Sequence, residues 1–401
     1  MLREFKKIYS RPVSIGLLVA AALLSIGLSI FFIRNYEYEI REDGNTVYYS
    51  GRHAVEMEKE ALHHVPSVLS VENLNEALAY YHSFANTDMA NEAFDKKYPG
   101  WRNMFRDAYV PVIKEDLNLL DKKNQADDFY EEMLKRLPEW MAGYDGVIYT
   151  EAEKSRAASM LSSVRKPYVY EFCGQWTILL KTSFIFFYAV ILYAVFLAGQ
   201  IFSYEKDCGM DLILIPCGKK KVLRSAYQKL GGVFGYLTCI TFLCILIQIL
   251  VIFIYCGVSG RKNSIQTIWG FFSCLYNMTN EQFFIYSYIT AWISILCIAA
   301  VSALLNAYTK NRYLSIAITA LLLIFPSVLE GALSKSAILQ RFTFLQPMTG
   351  IKVLTYGPSL RTFSVGPLIL RGGDAVLLEC MILLILASWL APKVYWKQMR
   401  R

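Results

Sequence analysis

The chain has 401 residues, of which 55% are hydrophobic and 14% aromatic, and its mean hydropathy is +0.33. This composition is unusual for a soluble domain and typical of a membrane protein with aromatic residues at the interfaces. The net charge of +8 is unevenly divided, because Arg34 to Gln175 holds 25 acidic and 17 basic residues. The remaining basic residues stand at the ends of apolar runs rather than on one face, which excludes nucleic acid as a partner.

The chain begins with an amphipathic segment followed by a long apolar run. In residues 1–12, Leu2, Phe5 and Ile8 recur at helical spacing opposite three basic residues. This pattern predicts a cytoplasmic amphipathic helix, although an ordinary basic flank fits it equally well. Residues 13–33 form an uncharged run of ~32 Å as a helix, long enough to cross the hydrocarbon. The run lacks a small-residue cleavage site, so it predicts an uncleaved first span with its N-terminus inside.

Residues 34–176 predict a helical extracytoplasmic domain between spans one and two. Ser70 is a candidate N-cap, and Thr150 to Glu153 has the form of a capping box. Three apolar faces follow the helical period: Leu74, Leu78, Tyr81 and Phe84; Phe129, Met133, Leu134 and Leu137; and Ala157, Met160, Leu161 and Val164. The four histidines lie in this domain, and no Cys/His spacing indicates a zinc site. We interpret its scattered acids and bases as solvated helix faces rather than catalytic groups.

A basic segment, 204–229, lies between the second span at 177–203 and the third at 230–257. From residue 205 it reads EKDCGMDLILIPCGKKKVLRSAYQK. Short basic loops stay on the cytoplasmic side, because Lys and Arg near a span resist translocation. Its apolar part is too short to span and ends at Pro216, which predicts a short interfacial helix and a turn. A loop this apolar needs a partner surface, and we expect that partner to be a protein.

The remaining chain predicts three further spans with short connections. In order they are an outer loop at 258–282, span four at 283–307, span five at 313–333, an outer, partly re-entrant segment at 334–374, span six at 375–392 and a cytoplasmic tail at 393–401. We expect residues 265–276 of the outer loop to lie in the membrane interface. The predicted inner segments hold 16 basic residues and the two short outer loops hold 7, which favours both termini inside. The predicted fold is an all-α polytopic membrane protein with six transmembrane helices.

This arrangement of one anchor helix, a large outer domain, five further spans and the inner loop resembles bacterial permease subunits of ABC-2 type transporters. The resemblance covers about two-thirds of the chain. It implies that loop 204–229 is a coupling helix docked on a separate ATPase, that residues 1–12 are the connecting helix, and that transport is export. The implied ATPase contacts are Glu205, Gly209, Asp211, Leu212, Leu214, Pro216, Lys219 and Arg224.

The sequence also predicts that this chain is not itself the ATPase. It has no G-x-x-x-x-G-K-[ST] motif, so ATP and Mg²⁺ are expected on the partner, with no cofactor and no enzyme activity in this chain. Lys181, Glu330 and Glu379 are the only ionisable residues in or near the spans. An ion-coupled carrier normally keeps acidic residues at mid-membrane.

Two other functions remain open, and the sequence names no substrate. A membrane-anchored receptor or sensor with an extracytoplasmic ligand-binding domain would need a cytoplasmic output domain, and the predicted inner segments are short. An intramembrane enzyme would need a catalytic constellation within the spans, and none is recognisable. We expect a plasma-membrane protein that pairs with a second permease chain, as a homodimer or heterodimer. Gly231 and Gly235, four residues apart, are a candidate helix–helix contact.

Overall fold

The structure is a computed structural model that describes residues 12–42, 45–109, 119–145, 149–207, 209, 216, 218–268, 270–332, 337–355, 361–365 and 368–400. Its helices and strands, numbered along the chain, are α1 (Pro12–Arg34), β1 (Glu37–Glu42), β2 (Asn45–Ser50), α2 (Gly51–His63), α3 (Val71–His82), α4 (Thr87–Lys97), α5 (Trp101–Tyr109), α6 (Leu119–Lys122), α7 (Phe129–Asp145), α8 (Glu151–Ser162), α9 (Gly174–Ala198), α10 (Ser203–Asp207), α11 (Lys219–Cys256), α12 (Asn280–Thr309), α13 (Arg312–Ala332), α14 (Ala337–Phe344), α15 (Thr349–Lys352), β3 (Thr362–Val365), β4 (Leu368–Arg371) and α16 (Gly372–Met399). Nearly all of the predicted helix at residues 1–12 lies outside the described part.

Five described helices, α1, α9, α11, α12 and α16, are long and apolar enough to cross a membrane. They confirm a mostly helical, multi-pass membrane protein. Helix α13 covers most of the predicted fifth span at 313–333, but its apolar portion with described side chains, Arg312–Pro326, is shorter than a span requires. The count of six spans therefore stays a prediction.

Two of these helices extend beyond their predicted boundaries. Helix α11 begins at Lys219 instead of residue 230 and has 38 residues, or ~57 Å, against a hydrocarbon thickness of ~30 Å. Residues 219–229, which the sequence analysis assigned to loop 204–229, are thus the first three turns of α11. Helix α16 continues through Pro392 to Met399, so most of the predicted tail at 393–401 is helical.

Helices α9 and α12 form the centre of the membrane region. In the most apolar stretch of each of these two helices 61% of the residues are buried inside the chain, whereas in that of α1 only 11% are buried. Helix α12 packs against α16, α9 and α13, and α9 packs also against α11 and α1. Between α9 and α11, the buried hydroxyl of Ser183 donates a hydrogen bond to Gln248 Oε1 at 3.1 Å. Any movement of α9 therefore changes its packing against several neighbours.

The prediction that residues 34–176 are helical throughout is wrong at the start of this segment. Residues 37–42 and 45–50 form two antiparallel strands in which Tyr38 pairs with Tyr49 and Ile40 with Val47. Aromatic and β-branched residues favour strands. Asp43 and Gly44 lie outside the described residues. We call the described part of residues 37–172 the head domain.

The helical part of the head domain follows the predicted apolar faces and caps. Ser70 Oγ accepts a hydrogen bond from Asn73 N at 3.2 Å, and the Thr150–Glu153 capping box is present in both directions. The core residues with less than 2% exposure include Leu74, Leu78, Phe94, Trp101, Phe105, Phe129, Met133, Leu137, Ala157, Leu161 and Tyr168. Periodicity predicted Leu74, Leu78 and the listed residues of α7 and α8, but it did not indicate Phe94, Trp101, Phe105 or Tyr168.

The segment after α11 packs against both the membrane region and the head domain. Ile265, Ile268 and Phe271 are buried in the core of the membrane region, and the predicted place of this segment at the membrane interface stays a prediction. Phe272 and Leu275, 3% and 2% exposed, pack among the head residues, with the Phe272 ring 5.9 Å from that of Phe129. Ser264 exchanges hydrogen bonds with Val169: its N–H donates to the Val169 carbonyl, and its Oγ accepts from Val169 N, each at 3.2 Å. Residues 34–176 therefore lack part of the core of their own domain.

The predicted re-entrant segment at 334–374 also contacts the head domain. Arg341 on α14 forms an ion pair with Glu153, with Nη2 at 2.9 Å from Oε1. Glu153 is 1% exposed and accepts a further hydrogen bond from Ser364 N at 3.0 Å. Phe344 stacks on Phe363 at 4.6 Å in a small core that also includes residues of α12 and α16. The described part of this segment thus connects the head domain to two membrane helices.

The place of Phe272 in the head core leads to a stability prediction. In Phe272→Ala the loss of a buried aromatic ring from a packed core costs about 3–5 kcal/mol. We expect a clearly lower midpoint of thermal unfolding, followed by intrinsic fluorescence of the full chain in detergent. Met89→Ala is the control, because Met89 is 63% exposed in the head domain. Equal midpoints for Phe272→Ala and wild type would show that Phe272 is not a core residue.

Candidate functional site at the two ends of helix α9

The described residues of loop 204–229 that precede α11 and have described side chains are exposed. Glu205 lies in α10, and Gly209 is exposed with φ of 67°, a backbone conformation that favours glycine. Pro216 is exposed in a single turn of 3₁₀ geometry. The predicted contacts Asp211, Leu212 and Leu214 lie outside the described residues.

The basic end of the loop is one face of a helix. Lys219 begins α11, and Lys219 and Arg224 are both exposed. On the opposite face, Val222, Ala226 and Leu230 are buried at i, i+4 and i+8. The apolar face packs against the rest of the membrane region, and the charges of the basic face stay accessible.

Gly231 and Gly235, the candidate helix–helix contact, lie one turn apart on α11 and are half-buried. Between them, Gly232 and Val233 face the interior of the chain. The two predicted glycines are therefore partly open to an outside contact, and the contact itself stays a prediction.

A buried polar cluster fixes the chain where it leaves α9 for the loop. Asn306 on α12 is fully buried, and its Oδ1 accepts hydrogen bonds from Phe202 N at 2.8 Å and Ser203 N at 3.0 Å. Its Nδ2 donates to the hydroxyls of Ser203 and Ser315, each at 3.2 Å. The Ser315 hydroxyl on α13 donates to the Gly199 carbonyl at 2.6 Å. We call these five residues the inner polar cluster.

An aromatic contact adds a fourth helix to this end of α9. The Phe202 ring stacks on Tyr395 of α16, with 4.6 Å between the centroids and 27° between the planes. Lys229 of α11 lies 5.8 Å from the centre of the same Tyr395 ring. The exit from α9 is therefore in contact with α11, α12, α13 and α16.

The outer end of α9 is bonded to the loop that follows α11. The side-chain N–H groups of Gln175 and Trp176 both donate to the Ser259 carbonyl, the latter at 3.0 Å. Just before the helix, the Glu171 carbonyl accepts a hydrogen bond from Asn263 Nδ2 at 2.7 Å. Both ends of α9 are thus held by specific hydrogen bonds to segments distant in sequence.

A cavity of about 330 Å³ with both polar and apolar wall residues lies between the head domain, the C-terminal end of α1 and the N-terminal end of α9. A second cavity of about 240 Å³ shares six wall residues with it and continues it into the head domain. The shared wall residues are Tyr36, Glu37, Glu58, Gly100, Asn103 and Tyr170. We call the larger space the junction cavity.

Two acids in the wall of the junction cavity have pKa values that are raised toward neutral pH. Burial raises the pKa of Glu58 to about 7, although the hydrogen bond from Tyr36 to its Oε2, at 2.6 Å, acts in the opposite direction. Burial likewise raises the pKa of Asp107 to about 6, against the lowering effect of Arg106. Removing a carboxylate from water disfavours its charged form, so both acids exchange protons in the physiological range.

The chemistry of the described residues favours binding over catalysis. No group of three or more His, Cys, Asp or Glu side chains in the described ranges is arranged to hold a metal ion. The cavity wall contains Cys173, and burial raises the pKa of its thiol to about 12, which disfavours the reactive thiolate. The polar groups in the cavity wall are carboxylates, hydroxyls and amides, which can bind a ligand through hydrogen bonds and charge.

Comparisons of the chain with protein-family models, with characterised proteins and with solved structures found no match. The functional argument therefore depends on the residues and their geometry.

The raised pKa of Glu58 predicts a pH-dependent stability. Because the folded protein prefers the neutral acid, Glu58 adds to the free energy of unfolding at low pH. This contribution is complete below about pH 4.5 and is lost as pH rises to about 7. Its size is at most about 3 kcal/mol. Glu58→Gln stays neutral and can still accept the hydrogen bond from Tyr36. We expect its unfolding midpoint to match wild type at pH 4.5 and to exceed it at pH 8, as measured by thermal melts.

Glu56→Gln is the matched control for this experiment. Glu56 lies on the same helix, but it is exposed and pairs with Arg52. Its replacement should not alter the pH dependence. A constant difference between Glu58→Gln and wild type at both pH values would mean that Glu58 does not titrate between them.

Proposed function

We propose that this chain is the membrane-spanning permease subunit of an ABC-2 type transporter, an exporter driven by a separate ATPase subunit that docks on loop 204–229. The observation that carries the proposal is the inner polar cluster, which connects this exposed basic loop to the central helices. A surface loop with no mechanical task needs no such network. A loop that receives a push from a partner must be bonded to the elements that it moves.

Helix α9 would transmit a displacement of the loop to the junction cavity. It has 25 residues, or ~37 Å, and joins the inner polar cluster to the junction cavity. A regular helix of this length is stiff, because each turn is closed by backbone hydrogen bonds. In this mechanism ATP binding and hydrolysis in the partner shift the loop, α9 transmits the shift, and the junction cavity changes shape.

The proposal also assigns sidedness and partners. The basic face at the start of α11 and the C-terminal basic residues are cytoplasmic in the plasma membrane, as are both chain termini, and the head domain is extracytoplasmic. The partner ATPase binds ATP and Mg²⁺, and this chain has no enzyme activity of its own. A second permease chain completes the pathway, with the surface around Gly231 and Gly235 as the candidate contact.

The junction cavity gives specific support to the second candidate function, a membrane-anchored receptor or sensor. A cavity of about 330 Å³ with polar and apolar wall residues lies within the usual size range of small-molecule sites. The two functions differ in what the inner loop binds. A receptor would pass its signal to a signalling partner, whereas a permease requires an ATPase.

The proposal predicts that the chain co-purifies with a P-loop ATPase from its native membranes. Replacing Leu212 and Leu214 together by Asp should lower the amount of bound ATPase at least tenfold, because a charge in an apolar contact costs several kcal/mol unless it is paired. The measurement is affinity purification followed by mass spectrometry and assay of ATP hydrolysis. The amount of this chain in the membrane should not change, since no candidate span is altered.

Met89→Asp serves as the control, because it places the same charge at an exposed head position. It should retain the full amount of ATPase. The proposal is wrong if the wild-type chain brings down no ATPase subunit. Full ATPase recovery with the Leu212 and Leu214 replacements would instead remove the assignment of the docking loop.

A further inference from the structure

An apolar groove adjoins the junction cavity on the side of α9. It has a volume of about 240 Å³ and is walled mainly by Phe32, Leu180, Phe184, Ile185, Phe271 and Leu354. Its wall residues come from α1, from α9, from the segment that follows α11 and from the segment before α16. Almost all of its surface is apolar.

The groove and the junction cavity lie next to each other along α9. They share Thr177, Lys181 and Ile268 as wall residues. Thr177, Lys181 and Ile185 lie at i, i+4 and i+8, so they follow one face of α9 over ~12 Å. Along this face the wall changes from polar to apolar within two turns.

The wall of the junction cavity carries an excess of acid. Glu37, Glu58 and Asp107 line the junction cavity against a single cationic wall residue, Lys181. In the adjoining cavity, Arg102 is already paired with Asp95. Asp107 Oδ1 lies 3.6 Å from Arg106 Nε, so Glu37 and Glu58 supply the acidic excess that is complementary to a cation.

A buried amide in the same wall has an unused acceptor. Gln266 is 1% exposed and lines the junction cavity, and its Nε2 donates to the carbonyls of Cys274 and Tyr276 at 2.9 Å. Its Oε1 is buried and accepts no hydrogen bond from the described residues. Buried polar atoms are normally paired, so this oxygen calls for an N–H or O–H donor.

We propose that the junction cavity and the apolar groove together bind an amphiphilic cation, a molecule with a primary ammonium group and an unbranched apolar chain. The ammonium group lies among the carboxylates and Gln266, and the chain lies in the groove along α9. Both parts contribute, because the ammonium group is paired with carboxylates and the chain is removed from water. As a statement about cargo, this inference depends on the proposed function; as a statement about binding, it does not.

Saturable binding of tritiated decylammonium to the full chain in phosphatidylcholine nanodiscs at pH 8 tests the inference. Partition into lipid rises linearly with concentration, so the saturable component isolates the site. We expect about one site per chain. Ethylammonium, which lacks the chain, should compete at least tenfold more weakly than unlabelled decylammonium, and decyl sulfate, an anion of equal chain length, should not compete.

Two variants test the two ends of the site separately. Glu37→Gln combined with Glu58→Gln should weaken decylammonium binding at least tenfold, whereas the exposed Glu56→Gln should not. Ile185→Trp fills the groove and should also weaken binding at least tenfold. Leu192→Trp, two turns further along the same face of α9 and 73% exposed, is its control.

The absence of a saturable component, equal competition by decyl sulfate, or unchanged binding in both variants would each overturn the inference. Failure here is distinguishable from failure of the proposed function. If decylammonium does not bind but an ATPase still co-purifies, only the proposed ligand is rejected. If decylammonium binds but no ATPase co-purifies, only the proposed transporter function is rejected.

Discussion

The structure depends on one requirement: the backbone and side-chain polar groups at the two ends of α9 must find hydrogen-bond partners away from water. At the inner end Asn306 accepts from two successive backbone N–H groups, and at the outer end the Ser259 carbonyl accepts from Gln175 and Trp176. An unpaired buried group costs about 1–3 kcal/mol, so these contacts restrict where α9 can lie. The loop at one end and the cavity at the other are positioned by the same helix.

A second constraint is that the head domain does not complete its core from its own residues. Phe272 and Leu275 enter from the segment between α11 and α12, and Arg341 neutralises the buried Glu153 from the segment before α16. A buried carboxylate without its partner would be costly, so these connections hold the head domain to the membrane region. Movement of α11, α12 or α16 must therefore displace or strain the head domain, which contributes seven of the 16 wall residues of the junction cavity.

The sequence predicts the features that depend on local pattern. Hydropathy located five apolar helices, and periodicity and caps located three of the head helices, α3, α7 and α8, with Ser70 and Thr150 bonded as expected. It fails where tertiary contact decides. Glu58 lies between Glu56 and Glu60, and only its place beside Tyr36 distinguishes it. Asn306 is one polar residue in an apolar helix, a signal that could have indicated a polar contact.

A cysteine introduced at Asn103, an exposed wall residue of the junction cavity, gives the most direct test that the loop and the cavity are coupled through α9. Its reaction with a small maleimide would be timed in the complex with the ATPase, with and without Mg²⁺ and a non-hydrolysable ATP analogue, and corrected with the chain that retains Asn103. We predict that the nucleotide changes the labelling rate severalfold, and that Asn306→Ala diminishes this change while retaining the ATPase. The same rate with and without nucleotide in the Asn103→Cys complex would contradict the coupling.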